Sequence, residues 1–193
     1  MNQVKRWLVW LSRIHRCWGF GIQSPTDYWF VRNVVNEHWP YYAYSRFEEK
    51  DWLSLKLGQL YFRLANYVQA KCFLEINTQE DDVREYVEAA CQKTKSMRLC
   101  LPCDKMPEEC KTKTLLVRCS YGPGMEGLLH QVVDDCDERS VIVIDDIYGD
   151  NEARRFWETL SDDSRVTISY DLYHCGILLK ESRHYKKKYY VNF

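Results

Sequence analysis

From Lys71 onward the chain alternates short apolar runs with amphipathic stretches, and that alternation permits few folds. The runs at 72–76, 97–102, 114–119, 140–146, 165–172 and 175–181 read as strands. Helical periodicity fills 79–94, 124–136 and 150–160. Strands separated by helices imply a mostly parallel sheet, so the class is α/β. The last two runs are separated only by Tyr173 and His174, too few residues for a crossover. They must form a hairpin, with the final strand antiparallel. Lys188 to Phe193 reads as one more edge strand. The irregular link 103–113 barely supplies the dozen or so residues that a parallel crossover needs.

Residues 1–69 read as helical. Over 3–17, Val4, Trp7, Leu8, Leu11, Ile14 and Trp18 recur at three and four, which makes one face apolar and the other basic. Such a helix can serve a partner or a membrane surface. The expectation here is a terminal helix packed on its own domain. Ser24 and Pro25 open a second helix, with Asp27 at capping-box spacing and Tyr28, Phe30, Val31, Val34 and Val35 as its apolar face. A third helix over 51–69 carries Leu53, Leu57, Leu60, Tyr61, Leu64 and Tyr67 on its buried side. The 193 residues suit a single domain, with a helical cap at 1–69 and an α/β core at 70–193.

Charge and cysteine usage narrow the function classes. Twenty-seven basic residues against 28 acidic ones argue against a nucleic-acid partner. No stretch is long enough to span a bilayer, and none reads as a targeting segment. The nine cysteines are scattered, several of them inside apolar runs, which suits reduced core thiols in a cytoplasm. Cys100, Cys103, Cys110 and Cys119, with His130 nearby, follow C-x2-C-x6-C-x8-C and leave a zinc site as one reading. The second pair lacks the tight spacing of a zinc ribbon, and Cys100 and Cys119 fall in strands. His15 and His38 sit beside aromatics, where packing is the usual role.

Two stretches point to a site. Cys72 to Ile76 is a strand buried on both faces, Asn77-Thr78 turns, and Glu80, Asp81 and Asp82 fill the first helical turn. Strand, tight turn and helix N-terminus form the layout of a nucleotide-binding crevice. In SVIVIDDIYGD, Ser140 to Asp150, the carboxylates of Asp145 and Asp146 stand at a strand's C-terminal end, where open α/β sheets place ligands. Adjacent carboxylates there can bind a metal, act as a base or cap the turn. Gly149 allows the turn, and Asp150 or Asn151 caps the next helix.

Together these residues resemble class I S-adenosylmethionine-dependent methyltransferases, most closely the small bacterial O-methyltransferase-like proteins. Gly19, Gly21, Ser24, Pro25 and Tyr28 are similar to their N-terminal entry into a helix. Leu74-Glu75-Ile76-Asn77-Thr78 is similar to their first motif. Asp145-Asp146-Ile147, the hairpin YDLYHCGILLKE and the terminal YYVNF resemble their C-terminal third. The resemblance implies a Rossmann-like sheet with an antiparallel hairpin strand, and S-adenosylmethionine as cofactor; for this chain no metal is expected. It places Glu75, Asn77 and Thr78 at the cofactor, and Asp145 and Asp146 at a substrate nucleophile or a divalent ion.

The chain departs from that family where the cofactor would be held. Active members carry glycines where Asn77 and Asp81 stand. Asn77 tolerates a left-handed backbone, but Asp81 adds a charge beside the helix N–H groups that a carboxylate would need. The second strand ends Cys100-Leu101-Pro102-Cys103, with Asp104 the nearest acid where the family holds the ribose. The fourth strand of the family ends in an acid, and here the run ends Arg118-Cys119-Ser120. The short link implies that the third strand unit is lost. Each lost contact weakens binding on the order of 1–3 kcal/mol. The leading expectation is a non-catalytic interaction or regulatory module whose protein partner meets the N-terminal helix. An active O-methyltransferase with an atypical loop is the alternative, and a cysteine-bound zinc protein the second. A sheet that lost an edge unit exposes strand 97–102, which leaves room for a dimer.

Overall fold

A computed structural model describes residues 3–47, 51–79, 82–101, 105–111, 113–182 and 185–193. Three helices lead into the sheet: α1 (Gln3–Arg13), α2 (Pro25–Phe30) and α3 (Trp52–Val68). Seven strands follow, β1 (Cys72–Ile76), β2 (Lys95–Leu99), β3 (Leu115–Ser120), β4 (Val141–Asp145), β5 (Ile168–Asp171), β6 (Cys175–Leu179) and β7 (Lys187–Tyr190). The helices α4 (Val83–Ala90), α5 (Met125–Asp135) and α6 (Asn151–Asp162) connect them.

The strands lie in the order β2-β1-β3-β4-β6-β5-β7. Neighbours from β2 through β4 pair in parallel, while β6 runs antiparallel to both β4 and β5. β7 pairs in parallel with β5 and closes the far edge. The sheet is therefore the mostly parallel α/β sheet with a hairpin that the sequence predicts. No strand forms among the described residues between β2 and β3, so β2 is the edge. A three-residue turn at Glu108–Cys110 stands in that link.

Strand period two assigns the faces. Phe73, Leu116, Val141, Val143, Ile168, Tyr170 and Ile177 face a core built by α3, α4 and the segment 30–35. Cys72, Leu74, Ile76, Val117, Cys119, Ile142, Ile144 and Leu178 face a second core under α5 and α6. Both faces are covered, which is why these strands read as continuous apolar runs.

Several boundaries and faces differ from expectation. The first helix stops at Arg13 and tightens into a 3-10 turn at Ile14–Gly19. Its apolar face does not pack inward: Trp7, Leu8, Leu11 and Ile14 are all exposed. Periodicity shows which face is apolar but not what covers it. α2 is capped by Ser24, whose Oγ accepts from the Asp27 N–H, and it runs on into a π-helical turn at Val31–Val35. Phe30, Val31, Val34 and Val35 are buried, but Tyr28 and Tyr67 are exposed. The helix expected at 79–94 is shorter, since Val83–Ala90 is its helical part and Glu80 and Asp81 lie outside the described residues. β2 lies at Lys95–Leu99 rather than 97–102, because an edge strand with charged residues gives no apolar run.

Candidate functional site

The ends of β1, β3 and β4 converge on one edge of the sheet. Glu75 of β1 pairs in register with Arg98 of β2 on one side and Arg118 of β3 on the other. All three share the face that α3 and α4 cover. Glu75 is fully buried, so its charge requires partners. Arg84 of α4 donates to its Oε2 from Nε at 3.1 Å and Nη2 at 2.7 Å. Arg98 donates from Nη2 at 3.3 Å, and Arg118 Nη1 lies 3.6 Å from Oε1. Thr78 Oγ1 adds a long contact to Glu75 at 3.5 Å.

The row continues to Asp145. Arg118 Nε donates to Asp145 Oδ2 at 2.7 Å, and Tyr61 of α3 donates its hydroxyl to Oδ1 at 2.9 Å. The Arg118 guanidinium also lies over the Tyr61 ring, 5.4 Å from its centroid. Burial, and then the Asp145 charge, push the Tyr61 hydroxyl well above its ordinary range, so it stays protonated and donating.

Asn77 follows β1 with φ 53°, the left-handed conformation that the turn demands. Its amide Nδ2 donates to the carbonyls of Ser120 and Tyr121, both at 3.1 Å. The side chain thus ties the end of β1 to the end of β3 and packs on Gly122, where any side chain would collide with it. Asp146 is also left-handed, φ 49°, and exposed; its N–H donates to the His174 carbonyl at 2.8 Å, beside the hairpin turn. Asp150 caps α6, accepting from the Ala153 N–H at 2.7 Å. An open cleft of about 710 Å³ runs past these groups, lined by Asn77, Thr78, Arg118, Tyr121, Asp145 and Asp146 among others.

The structure brings together Asn77, Thr78, Asp145 and Asp146 at this cleft, while Glu75 lies beneath it inside the arginine row. Tyr61, Arg84 and Arg98 are site residues that the sequence did not reveal as such. Tyr61 was readable only as a buried helix position, and nothing in a charged side chain's spacing announces that it will meet Glu75. Asp81 and Asp104 lie outside the described residues. His15 accepts from Arg16 Nε at 3.2 Å near α1. At His38 burial, then Arg63 and Lys56, lower the imidazole pKa. Of the cysteine set, Cys103 lies outside the described residues and Cys119 donates to the Val143 carbonyl. Among the described residues no group of three or more His, Cys, Asp or Glu could hold a metal ion, and no helix is long and apolar enough to cross a membrane.

Comparison with solved structures gives the class of fold. The chain is similar to the O-methyltransferase TomG from Streptomyces achromogenes, involved in tomaymycin synthesis and solved with SAM, with TM-score 0.51 and 18% identity over 94% of this chain and 100% of that one. A putative O-methyltransferase from Klebsiella pneumoniae matches with TM-score 0.46 and 12% identity over 82% and 97%. The SAH-bound methyltransferase PaMTH1 from Podospora anserina matches with TM-score 0.44 and 11% identity over 83% and 97%. The first of these likenesses, with the strand order, gives the fold as that of the class I methyltransferases, as the resemblance implied. No protein-family model and no curated protein sequence matches the chain.

Proposed function

We propose that this chain uses the methyltransferase fold as a non-catalytic interaction or regulatory module. One observation carries the reading: the polar groups at the ends of β1, β3 and β4 are bonded to one another. Asn77 bridges to the Ser120 and Tyr121 carbonyls, Glu75 is held by arginines, and Asp145 is held by Arg118 and Tyr61. A cofactor that drew on Asn77, Glu75 or Asp145 would have to compete with these bonds, each worth about 0.5–1.5 kcal/mol net and more where charged. Residues here therefore fit S-adenosylmethionine poorly. The partner surface is the exposed apolar face of α1, where Trp7 and Leu8 are both more than 60% exposed.

The test is calorimetric titration with S-adenosylmethionine and S-adenosylhomocysteine. No heat at millimolar ligand is the expected result. Binding tighter than ~100 μM, about 5.5 kcal/mol, overturns it. That outcome would favour the second reading, an active O-methyltransferase, which the open cleft and the retained left-handed turn at Asn77 support. In that case Asn77 and Thr78 contact the cofactor, and Asp145 and Asp146 orient the nucleophile.

A further inference from the structure

Cys72 opens β1, and its Sγ lies 3.0 Å from the Sγ of Cys110, in the turn Glu108–Cys110. The Cys110 thiol also donates to Met97 Sδ of β2 at 3.6 Å. Both thiols are buried. They stand at the start of the parallel strands, the opposite edge of the sheet from Asn77. Other described cysteines are differently engaged: Cys91 donates to Gln69, Cys119 to the Val143 carbonyl and Cys136 to the Val133 carbonyl.

We propose that Cys72 and Cys110 are a reversible disulfide site, closed by a peroxide, that clips the Glu108–Cys110 turn to the central sheet. A disulfide bond is about 2.0 Å long, so the sulfurs need to approach by only about 1 Å. Cys110 meets the oxidant. It sits in a three-residue turn between β2 and β3, which can open locally, whereas Cys72 is held in a strand paired on both sides. Burial, then the contact with Cys110, push the Cys72 thiol up to about 12, which keeps it protonated at neutral pH until its partner is oxidised.

The chemistry balances. The peroxide O–O bond breaks as the Cys110 thiol becomes a sulfenic acid, and one water leaves. The Cys72 sulfur then attacks the Cys110 sulfur and displaces the hydroxyl, which takes the Cys72 proton and leaves as a second water. Two thiols lose two electrons in all, and hydrogen peroxide gains them. Thiol exchange with dithiothreitol reverses the bond.

The test is peptide mapping of the wild-type chain after hydrogen peroxide, with remaining thiols alkylated in denaturant. The expected product is one cross-linked peptide pair joining Cys72 to Cys110, absent after dithiothreitol. The cysteines are 38 positions apart. Closing a loop of that size raises the melting temperature by roughly 8–15 °C over the reduced chain. Cys110→Ser should show no such rise. Alkylation of both cysteines after oxidation overturns the proposal, as does linkage of Cys110 to Cys100 or Cys103. Mapping uses the native sequence, so a variant that fails to fold leaves the test intact.

Discussion

A carboxylate inside a parallel sheet is stable only if cations stand at its register, and Glu75 has them on both neighbouring strands and on α4. Removing that charge leaves Arg84, Arg98 and Arg118 crowded around a neutral side chain. Glu75→Gln should lower stability by about 1–3 kcal/mol, read from urea unfolding, because charged hydrogen bonds at a buried carboxylate are lost while Arg84 and Arg98 still reach water and Arg118 keeps Asp145. A change below about 1 kcal/mol would mean that the row contributes little. A second carboxylate makes the stability depend on pH. Hydrogen bonds from Arg165 hold Asp163 at about 2, below its usual 3.8. A depressed folded pKa gives stability that is complete above the unfolded value and lost as pH falls through the folded one. The difference between the native chain and Asp163→Asn should therefore stay constant from neutral pH down to about 4, then vanish towards pH 2. Denaturant midpoints across that range check it. Neither cluster was legible beforehand. Sequence reasoning treats arginines as solvated until the sheet places them, and β1 alone reads as an apolar run with one odd glutamate.

Elements meet where side chains allow close approach, and α3 meets α4 at Gly58. A Cβ there would press into the Tyr86 ring. Alanine is the better helix former by about 1 kcal/mol, so propensity alone predicts that Gly58→Ala stabilises the protein. Overpacking costs about 1–3 kcal/mol, and the net effect should be a loss, measured as a lower melting temperature. Tyr86 is buried, with Phe47 stacked on it at 3.8 Å between centroids, so it has little room to yield. Arg63 is another joint that no periodicity reveals. It donates to the carbonyls of Val34 at 2.6 Å and Val35 at 2.9 Å, satisfying the end of the π-helical turn from inside α3. Buried strands were the legible elements. β1 matches its expected bounds, and β4 and the hairpin fall within a few residues, because strands covered on both faces leave continuous apolar runs. The edge strands and the start of α4 were not, since their residues answer to water as much as to the core, whereas α2, α3, α5 and α6 each begin within a residue of expectation.

At the scale of the whole molecule, the sheet has no strand beyond β2 among the described residues at one edge and gains β7 at the other. Both edges carry charge, Lys95 and Arg98 on β2 and Lys187 and Lys188 on β7, which discourages strand addition by another copy. α2, the π-helical turn after it and α3 belong to the same core. Phe30 packs on Tyr170 at 5.0 Å between centroids, and Val31, Val34 and Val35 are buried with it. Deleting residues 1–50 uncovers that face, and the product should be insoluble. A soluble, cooperatively unfolding fragment would show that residues 51–193 fold alone.

The N-terminal segment reaches the sheet by contacts that are remote along the chain. Arg13 bonds Asp171, Tyr189 bonds Asp27 and Asn36 bonds the Asn192 carbonyl, across 158, 162 and 156 positions. Helices of this size coil within about a microsecond. These have nothing to dock on until β5 and β7 exist, and closing so long a span is slow. Refolding should therefore finish at the segment that comes first in the sequence. Until then Phe30 and the valines behind it stand bare, which makes the interval before docking the period in which this chain is most exposed to aggregation.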